Sequence, residues 1–193
     1  MKTILLIRHG MTQGNLKKQY IGITDQPLCP DGLAQAQALA RTRPLPPCDV
    51  VFSSPLLRCR QTAEVLFPDQ AYRIARGLAE CDFGRFECKS PDDLASDTEY
   101  KQWVDSDCED PIPGGEDVTV FRERTVEAFA REVSALPENI TAAFVIHGGV
   151  IMSILERYAV PKRAFYEYYL GNCQYYSCRF EGESLVITEW PAT

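Results

Sequence analysis

Four apolar runs punctuate this chain, and each ends abruptly in polar or turn-forming residues. They lie at residues 4–7 (ILLI), 50–52 (VVF) and 143–146 (AFVI), with a weaker one at 72–75 (YRIA). Short runs without polar alternation predict strands buried on both faces of a sheet. Between them the apolar positions recur at helical spacing. Asp31 is expected to cap a segment that puts Leu33, Ala36 and Ala40 on one face, and Ser54 with Pro55 to open a second carrying Leu56, Ala63 and Leu66. A third places Val118, Phe121, Phe129, Val133 and Leu136 at three- and four-residue steps, and a fourth covers residues 150–158 before Pro161. Near the end the pattern changes: residues 174–180, a Glu-Gly-Glu turn and residues 185–190 predict a hairpin.

Strands that alternate with helices of this length imply right-handed crossovers and a parallel sheet covered on both sides. The expected fold is therefore α/β: a three-layer α/β/α sandwich with a mainly parallel sheet, an antiparallel edge hairpin and a small inserted helical cap. The cap falls at residues 86–116, which are rich in Asp, Ser and Pro and draw their apolar content mainly from Tyr100, Trp103 and Val104. One domain spanning residues 1–193 is expected, because a chain of this length with 45% hydrophobic content supports one sizeable core.

Charge narrows the classes of partner. A net charge of −7 argues against a nucleic-acid or anionic-membrane surface. The acid is concentrated: residues 87–117 hold eleven Asp and Glu against two Lys, which leaves the rest of the chain slightly positive. The opening aliphatic run is too short for a signal segment or a membrane span, so a cytoplasmic protein is expected. Eight cysteines are irregularly spaced without a CxxC pair, which points to reduced, mostly buried thiols. With few candidate ligands, neither a metal nor another cofactor is expected.

The chemistry-bearing residues gather at equivalent places. Both histidines of the chain follow a predicted strand: Arg8, His9 and Gly10 after the first, His147, Gly148 and Gly149 after the last of the buried runs. Ser53, Ser54 and Arg58 follow the second. In an open parallel sheet such loops meet at the carboxyl ends of the strands, where helix N-termini present unpaired N–H groups. Arg58 lies in the first turn of its helix, where a cation opposes the macrodipole by roughly 0.3–1 kcal/mol. Two arginines and two histidines at that rim form a cationic pocket suited to a small dianion, and screening over about 8 Å separates it from the acidic cap.

These residues and their neighbours resemble the histidine phosphatase superfamily, in its phosphoglycerate mutase branch. The similarity runs through RHGMTQGN (residues 8–15), Tyr20, Gly22, Thr24, Asp25, Pro27, Leu28 and Gly32, SSPLLRCRQTA (53–63), Leu78, Glu80, Asp82, Phe83 and Gly84, PGGE (113–116) and HGGV (147–150). The resemblance implies that His9 attacks phosphorus and is transiently phosphorylated, while Arg8, Arg58 and His147 hold the phosphoryl oxygens. Asn15 matches a position that adds a hydrogen bond to the phosphate, and it reads equally well as a loop cap. Thr24 and Gly148 fall among the matching positions expected at the substrate. Glu80 matches the general acid, with Asp82 as its competitor; a carboxyl beside a bound phosphate holds its proton more tightly than in water. One departure is Cys88, which stands where the family has glycine after Phe86 and Glu87.

Within the family, the separation of 67 positions from Glu80 to His147 looks compact beside the longer insertions of the glycolytic mutases, which favours hydrolysis. The ECDFGRFE segment, the Tyr100 and Trp103 pair and the IPGGE turn are similar to phosphatases that act on α-ribazole 5'-phosphate in cobalamin biosynthesis. The expected function is a phosphomonoesterase acting on a small-molecule phosphate monoester through a phosphohistidine. A phosphoglycerate mutase, a broad sugar-phosphate phosphatase and a non-catalytic phosphate-binding relative stand as alternatives. Tyr100 and Trp103 either line the substrate mouth and stack on an aromatic base or form the core of the cap. The tyrosine-rich stretches at residues 166–169 and 175–176 are candidates for core, sheet edge or a homodimer surface.

Overall fold

The computed structural model describes residues 1–42 and 45–191. A seven-stranded sheet runs through it, formed by β1 (Lys2–Arg8), β2 (Val50–Ser53), β3 (Tyr72–Ile74), β4 (Thr141–Ile146), β5 (Ala159–Val160), β6 (Tyr175–Glu181) and β7 (Ser184–Glu189), in the order β3-β2-β4-β1-β6-β7-β5. The first four strands of that order are mutually parallel; β6 is antiparallel to both β1 and β7. The expected α/β sandwich is what forms. β5 is too short for any pattern to reveal, and it pairs parallel to β7 outside the hairpin.

Alternation along β1 divides the core into two layers. Ile4 and Leu6 face α5 (Val118–Ser134) and α6 (Gly148–Tyr158), in a cluster with Phe52, Phe129, Phe144, Ile151 and Ile154. Leu5 and Ile7 face the other way, with Val51, Ala143, Val145 and two residues of α3 (Leu57–Leu66), Cys59 and Ala63. Against α3 packs α2 (Pro30–Thr42), and a one-turn helix α1 (Gln13–Leu16) follows β1. Because β1 and β4 are covered on both faces, their ends are the places where side chains can leave the core and meet a ligand.

Two helix starts differ from expectation. α2 begins at Pro30, whose missing N–H is harmless at the first helical position, so Asp31 sits inside the first turn and does not cap it. α3 begins at Leu57, and neither Ser54 nor Pro55 belongs to it. Its Leu57 N–H donates instead to Asp25, 2.5 Å away and 32 residues earlier, a tertiary cap that no local pattern encodes.

The cap contains a 3-10 turn (Gly84–Phe86) and α4 (Thr98–Asp105), capped by the Asp97 side chain. Tyr100 and Trp103 are buried among Tyr20, Phe83 and Phe86, with ring centroids 5.3–6.4 Å apart. Their first job is to make the cap's own core. Cys88 has φ +61°, the conformation glycine tolerates best, so the departure from the family keeps the turn by placing a side chain in a strained region.

Candidate active site

The three loops converge as the topology requires. β1 delivers Arg8 and His9, β2 delivers Ser54 and leads into Arg58, and β4 delivers His147 at the N-cap of α6. The two imidazoles lie edge to face with centroids 5.1 Å apart, both buried. His9 Nδ1 is 2.7 Å from the carbonyl of Gly10, which as an acceptor fixes the proton on Nδ1 and leaves Nε2 as the unprotonated nitrogen. The Arg58 Nε donor lies 3.3 Å from that Nε2. Burial first, then Arg58 and Arg8, hold the His9 pKa well below its usual 6.5, so the ring is neutral near pH 7.

His147 is neutral for the same reasons, with burial first and then Arg58, His9 and Arg8. Its Nε2 shares a 2.7 Å hydrogen bond with Ser54 Oγ and lies 3.4 Å from Cys59 Sγ. Ser54 thus orients the second ring. The Cys59 thiol, pushed up to about 12 by burial, stays protonated beside it.

Arg58 is nearly inaccessible, yet among the described residues no carboxylate pairs with it; it donates to the carbonyls of Thr24 at 3.0 Å and Gly22 at 2.7 Å. Arg8 donates to the Leu170 carbonyl at 2.5 Å, and its Nε is buried with no hydrogen-bond partner among the described residues. Neutral carbonyls orient both guanidiniums without cancelling their charge, so the pocket keeps a strong positive field for an anion.

Glu80 reaches the same place from the loop after β3. Its carboxylate accepts from the Gly149 N–H at 3.2 Å and the Cys81 N–H at 3.1 Å. Burial raises its pKa above 4.5, opposed by the Cys81 amide, Arg58 and the Gly149 amide, so it can carry a proton to a leaving oxygen. Asp82 is occupied elsewhere: its Oδ1 accepts from the Gly84 N–H at 2.8 Å and shapes the cap entry.

Asn15 Oδ1 accepts from the Thr12 amide at 3.0 Å and the Thr12 hydroxyl at 3.1 Å, completing a reciprocal cap of α1. The capping role is thus the one its oxygen plays. Thr24 corrects an expectation: its hydroxyl donates to Glu87 at 2.5 Å, and what it offers the site is the carbonyl that holds Arg58. Gly148 lies against Arg8, whose guanidinium carbon would be 3.5 Å from any Cβ there, an ordinary contact. Of the cap aromatics, Trp103 lines a cavity of about 270 Å³ that opens beside Glu80 and Gly149; Tyr100 is not in its wall, and its hydroxyl is 2.9 Å from that of Tyr20.

Several positioning residues escape sequence reasoning. Glu87 accepts from the amides of Gly22, Ile23 and Phe83 at 3.0–3.1 Å and so fixes the loop whose carbonyls grip Arg58. Arg124 donates to the carbonyls of Gly77, Ala79 and Glu80 and pairs with Glu116, which fixes the backbone of the Glu80 loop. Asn172 donates to the His9 carbonyl at 3.0 Å. Glu87 and Glu116 were visible only as members of matching motifs, and nothing local in the sequence marks the contacts of Arg124 and Asn172. Among the described residues, no group of His, Cys, Asp and Glu assembles that could hold a metal ion, and no helix is long and apolar enough to cross a membrane.

The family model described as histidine phosphatase superfamily (branch 1) matches residues 4–193. An adenosylcobalamin/alpha-ribazole phosphatase of Salmonella typhimurium is 32% identical over 157 residues, covering 79% of this chain and 77% of the relative. A "probable phosphoglycerate mutase" of Salmonella paratyphi C is 29% identical over 198 residues, covering 98% and 90%. The crystal structure of the alpha-ribazole phosphatase from Shigella flexneri has the same fold, with a TM-score of 0.88 at 24% identity over 98% of this chain and 96% of that one.

Proposed function

Because the chain belongs to the histidine phosphatase superfamily (branch 1) and is a phosphatase, we propose that it hydrolyses α-ribazole 5'-phosphate or a close relative through a phosphohistidine. The observation that carries the reading is the convergence of His9, His147, Arg8, Arg58 and Glu80 on one buried rim, with the two rings 5.1 Å apart.

In the first half-reaction the His9 Nε2 lone pair attacks phosphorus while the P–O ester bond breaks. Glu80 gives its proton to the departing oxygen. Arg8, Arg58 and His147 hold the three equatorial oxygens as charge spreads over them. The Gly10 carbonyl stabilises the cationic phosphoimidazole by accepting from Nδ1–H. In the second half, water attacks phosphorus, the Glu80 carboxylate takes its proton, and the P–N bond breaks to return neutral His9 and free phosphate.

The substrate assignment draws on the cavity next to Glu80, where the leaving group must emerge. Its wall is mostly apolar and aromatic, including Tyr20, Phe83, Trp103, Phe121 and Phe165, and its only charged members are Glu80 and Arg122. Arg122 is already paired with Glu109 at 2.8 Å. A phosphoglycerate carries a carboxylate that would need a cation there, whereas a riboside of a flat uncharged base suits the wall. This favours hydrolysis of an aromatic riboside phosphate over the mutase reading.

The test is a screen of α-ribazole 5'-phosphate, 3-phosphoglycerate, phosphoserine and ribose 5-phosphate, run beside His9→Ala. At least tenfold higher kcat/KM on the first substrate is expected, and the variant should lose at least about 10³-fold. A maximum on 3-phosphoglycerate would overturn the substrate assignment, and full activity of His9→Ala would overturn covalent catalysis.

A further inference from the structure

Where β1 ends, the peptide unit that joins His9 to Gly10 leaves the sheet and is held by two side chains from remote parts of the chain. The His9 carbonyl accepts from Asn172 Nδ2 at 3.0 Å, 163 residues away, and the Gly10 N–H donates to Thr62 Oγ1 at 3.0 Å, 52 residues away. The C=O and N–H of a trans peptide point in opposite directions, so the two side chains hold opposite edges of one plane. The next carbonyl along the chain, that of Gly10, is the one that accepts from His9 Nδ1 at 2.7 Å. Gly10 itself cannot stiffen this turn. A Cβ there would fall 2.7 Å from the Gly32 carbonyl oxygen, which keeps the position glycine, and glycine restricts backbone rotation least of all residues.

Both side chains are themselves fixed. Thr62 is fully buried in α3 and commits its hydroxyl hydrogen to the Arg58 carbonyl at 2.7 Å, which leaves a lone pair for Gly10. Asn172 gives its second amide hydrogen to Asn15 Oδ1 at 3.4 Å, an oxygen that Thr12 also reaches through its amide and its hydroxyl. Asn172 sits in a turn where the Gly171 N–H donates to Gln174 Oε1 and Cys173 has φ +56°, a backbone conformation that L side chains rarely adopt. The Cys173 N–H is shared between the Arg8 and His9 carbonyls, 3.1 and 3.3 Å away. Any donor and acceptor would satisfy a buried peptide unit. Two side chains locked from separate elements also fix its plane.

Resting on the phosphohistidine reading above, we propose that Asn172 and Thr62 are positioning residues for the nucleophile: by holding the His9–Gly10 peptide plane they keep the Gly10 carbonyl on Nδ1–H, and so keep Nε2 unprotonated and placed for attack. Without either one the peptide can turn about Gly10. The ring then loses both its anchor and the acceptor that fixes its proton on Nδ1. Such a loss differs from that of a general acid or of a phosphate ligand. It slows attack on any ester, whatever its leaving group, while Arg8, Arg58 and His147 still hold the anion.

The test uses Asn172→Ala, Thr62→Val and Thr62→Ser beside His9→Ala. In the first two, kcat/KM is expected to fall at least about tenfold on p-nitrophenyl phosphate and on an alkyl phosphate alike, since a displacement of about 1 Å can cost 10²-fold. The inhibition constant for inorganic phosphate should stay within about threefold, and Thr62→Ser, which keeps the hydroxyl, should recover most of the rate lost in Thr62→Val. Because the chain has two histidines, the tautomer can be read directly from ring-nitrogen NMR of isotope-labelled histidine. The wild type should show His9 protonated at Nδ1 alone, and the two variants a mixture of tautomers. Should Thr62→Val not fold, Asn172→Ala at its half-buried turn carries the kinetic test, and the wild-type spectrum needs no variant. A wild-type ring protonated at Nε2 would overturn the proposal. So would unchanged kinetics with only a lower melting temperature, the mark of a purely structural bond. A loss confined to the alkyl ester, or one matched by weaker phosphate inhibition, would overturn it as well. With His9→Ala inactive, each of these results leaves the phosphohistidine reading standing; full activity of His9→Ala would bring down that reading and the proposal together.

Discussion

Replacing Gly149 with alanine tests whether the position of the Glu80 carboxylate sets the rate. A Cβ built on Gly149 falls 2.6 Å from Glu80 Oε1 and 3.2 Å from Phe121 Cζ. Ordinary contact lies near 3.5 Å, so the carboxylate must retreat by about 0.8 Å or more. The backbone cannot yield instead, because Arg124 holds the Glu80 carbonyl at 3.0 Å. Misplacing a catalytic group by about 1 Å can cost 10²-fold, or about 2.7 kcal/mol of barrier. The loss should fall on kcat/KM for an alkyl phosphate, whose leaving oxygen needs a proton. It should be several-fold smaller for p-nitrophenyl phosphate, whose leaving group departs without one. Alanine also suits a helix better than glycine by up to about 1 kcal/mol, so thermal stability is expected to change little. Equal losses on both esters would refute the assignment of Glu80 as the group displaced.

Three further outcomes follow from the same contacts. With an alkyl ester, kcat/KM should fall at low pH as His9 gains a proton below 6.5, and fall at high pH as Glu80 loses its proton above 4.5; a high-pH limb that persists in Glu80→Gln would place that limb elsewhere. Stability should decline as pH drops through 6.5, because the unfolded chain takes up protons at His9 and His147 while the folded rings stay neutral to lower pH. Urea titrations at pH 7 and 5.5 should show a smaller decline in His147→Gln, and an identical one would count against a neutral buried ring. Glu87→Ala frees the loop of Gly22 and Thr24 that holds Arg58, so inhibition by inorganic phosphate should weaken about tenfold; an unchanged inhibition constant would show that the loop holds without it.

What the sequence disclosed follows from where the information resides. β1 and β4 are legible because burial on both faces demands unbroken apolar runs, and α5 because seventeen residues give its period room to register. His9, His147, Arg8 and Arg58 stand out because few side chains can serve a phosphoryl group. Arg124 does not, because it acts through backbone carbonyls; Ser54 and Glu87 fall in matching motifs, but their roles depend on partners across long intervals, as where Ser54 meets His147 93 residues away. Asp25 caps α3 in the same non-local way, which is why local rules misplaced that helix start. Thr24 illustrates the limit most sharply. Its position in the motif was informative, but the atom that matters is its carbonyl, which every residue type possesses.

The acidic cap and the cationic pocket are parts of one arrangement. Cap acids pair with basic residues of the scaffold and the cap's base: Asp97 and Glu99 with Arg85, Glu109 with Arg122, Glu116 with Arg124. Exposed pairs of this kind contribute at most about 1 kcal/mol each, whereas each aromatic contact within Tyr20, Phe83, Phe86, Tyr100 and Trp103 adds about 0.5–1.5 kcal/mol beyond the area it buries. The ring cluster therefore holds the cap down, and the ion pairs set its register. That register matters because two of the paired arginines also reach the site: Arg124 holds the backbone of Glu80, and Arg122 is part of the wall of the cavity beside it. Charge that looks like surface excess in the composition is thus used to align Glu80 with the cavity wall.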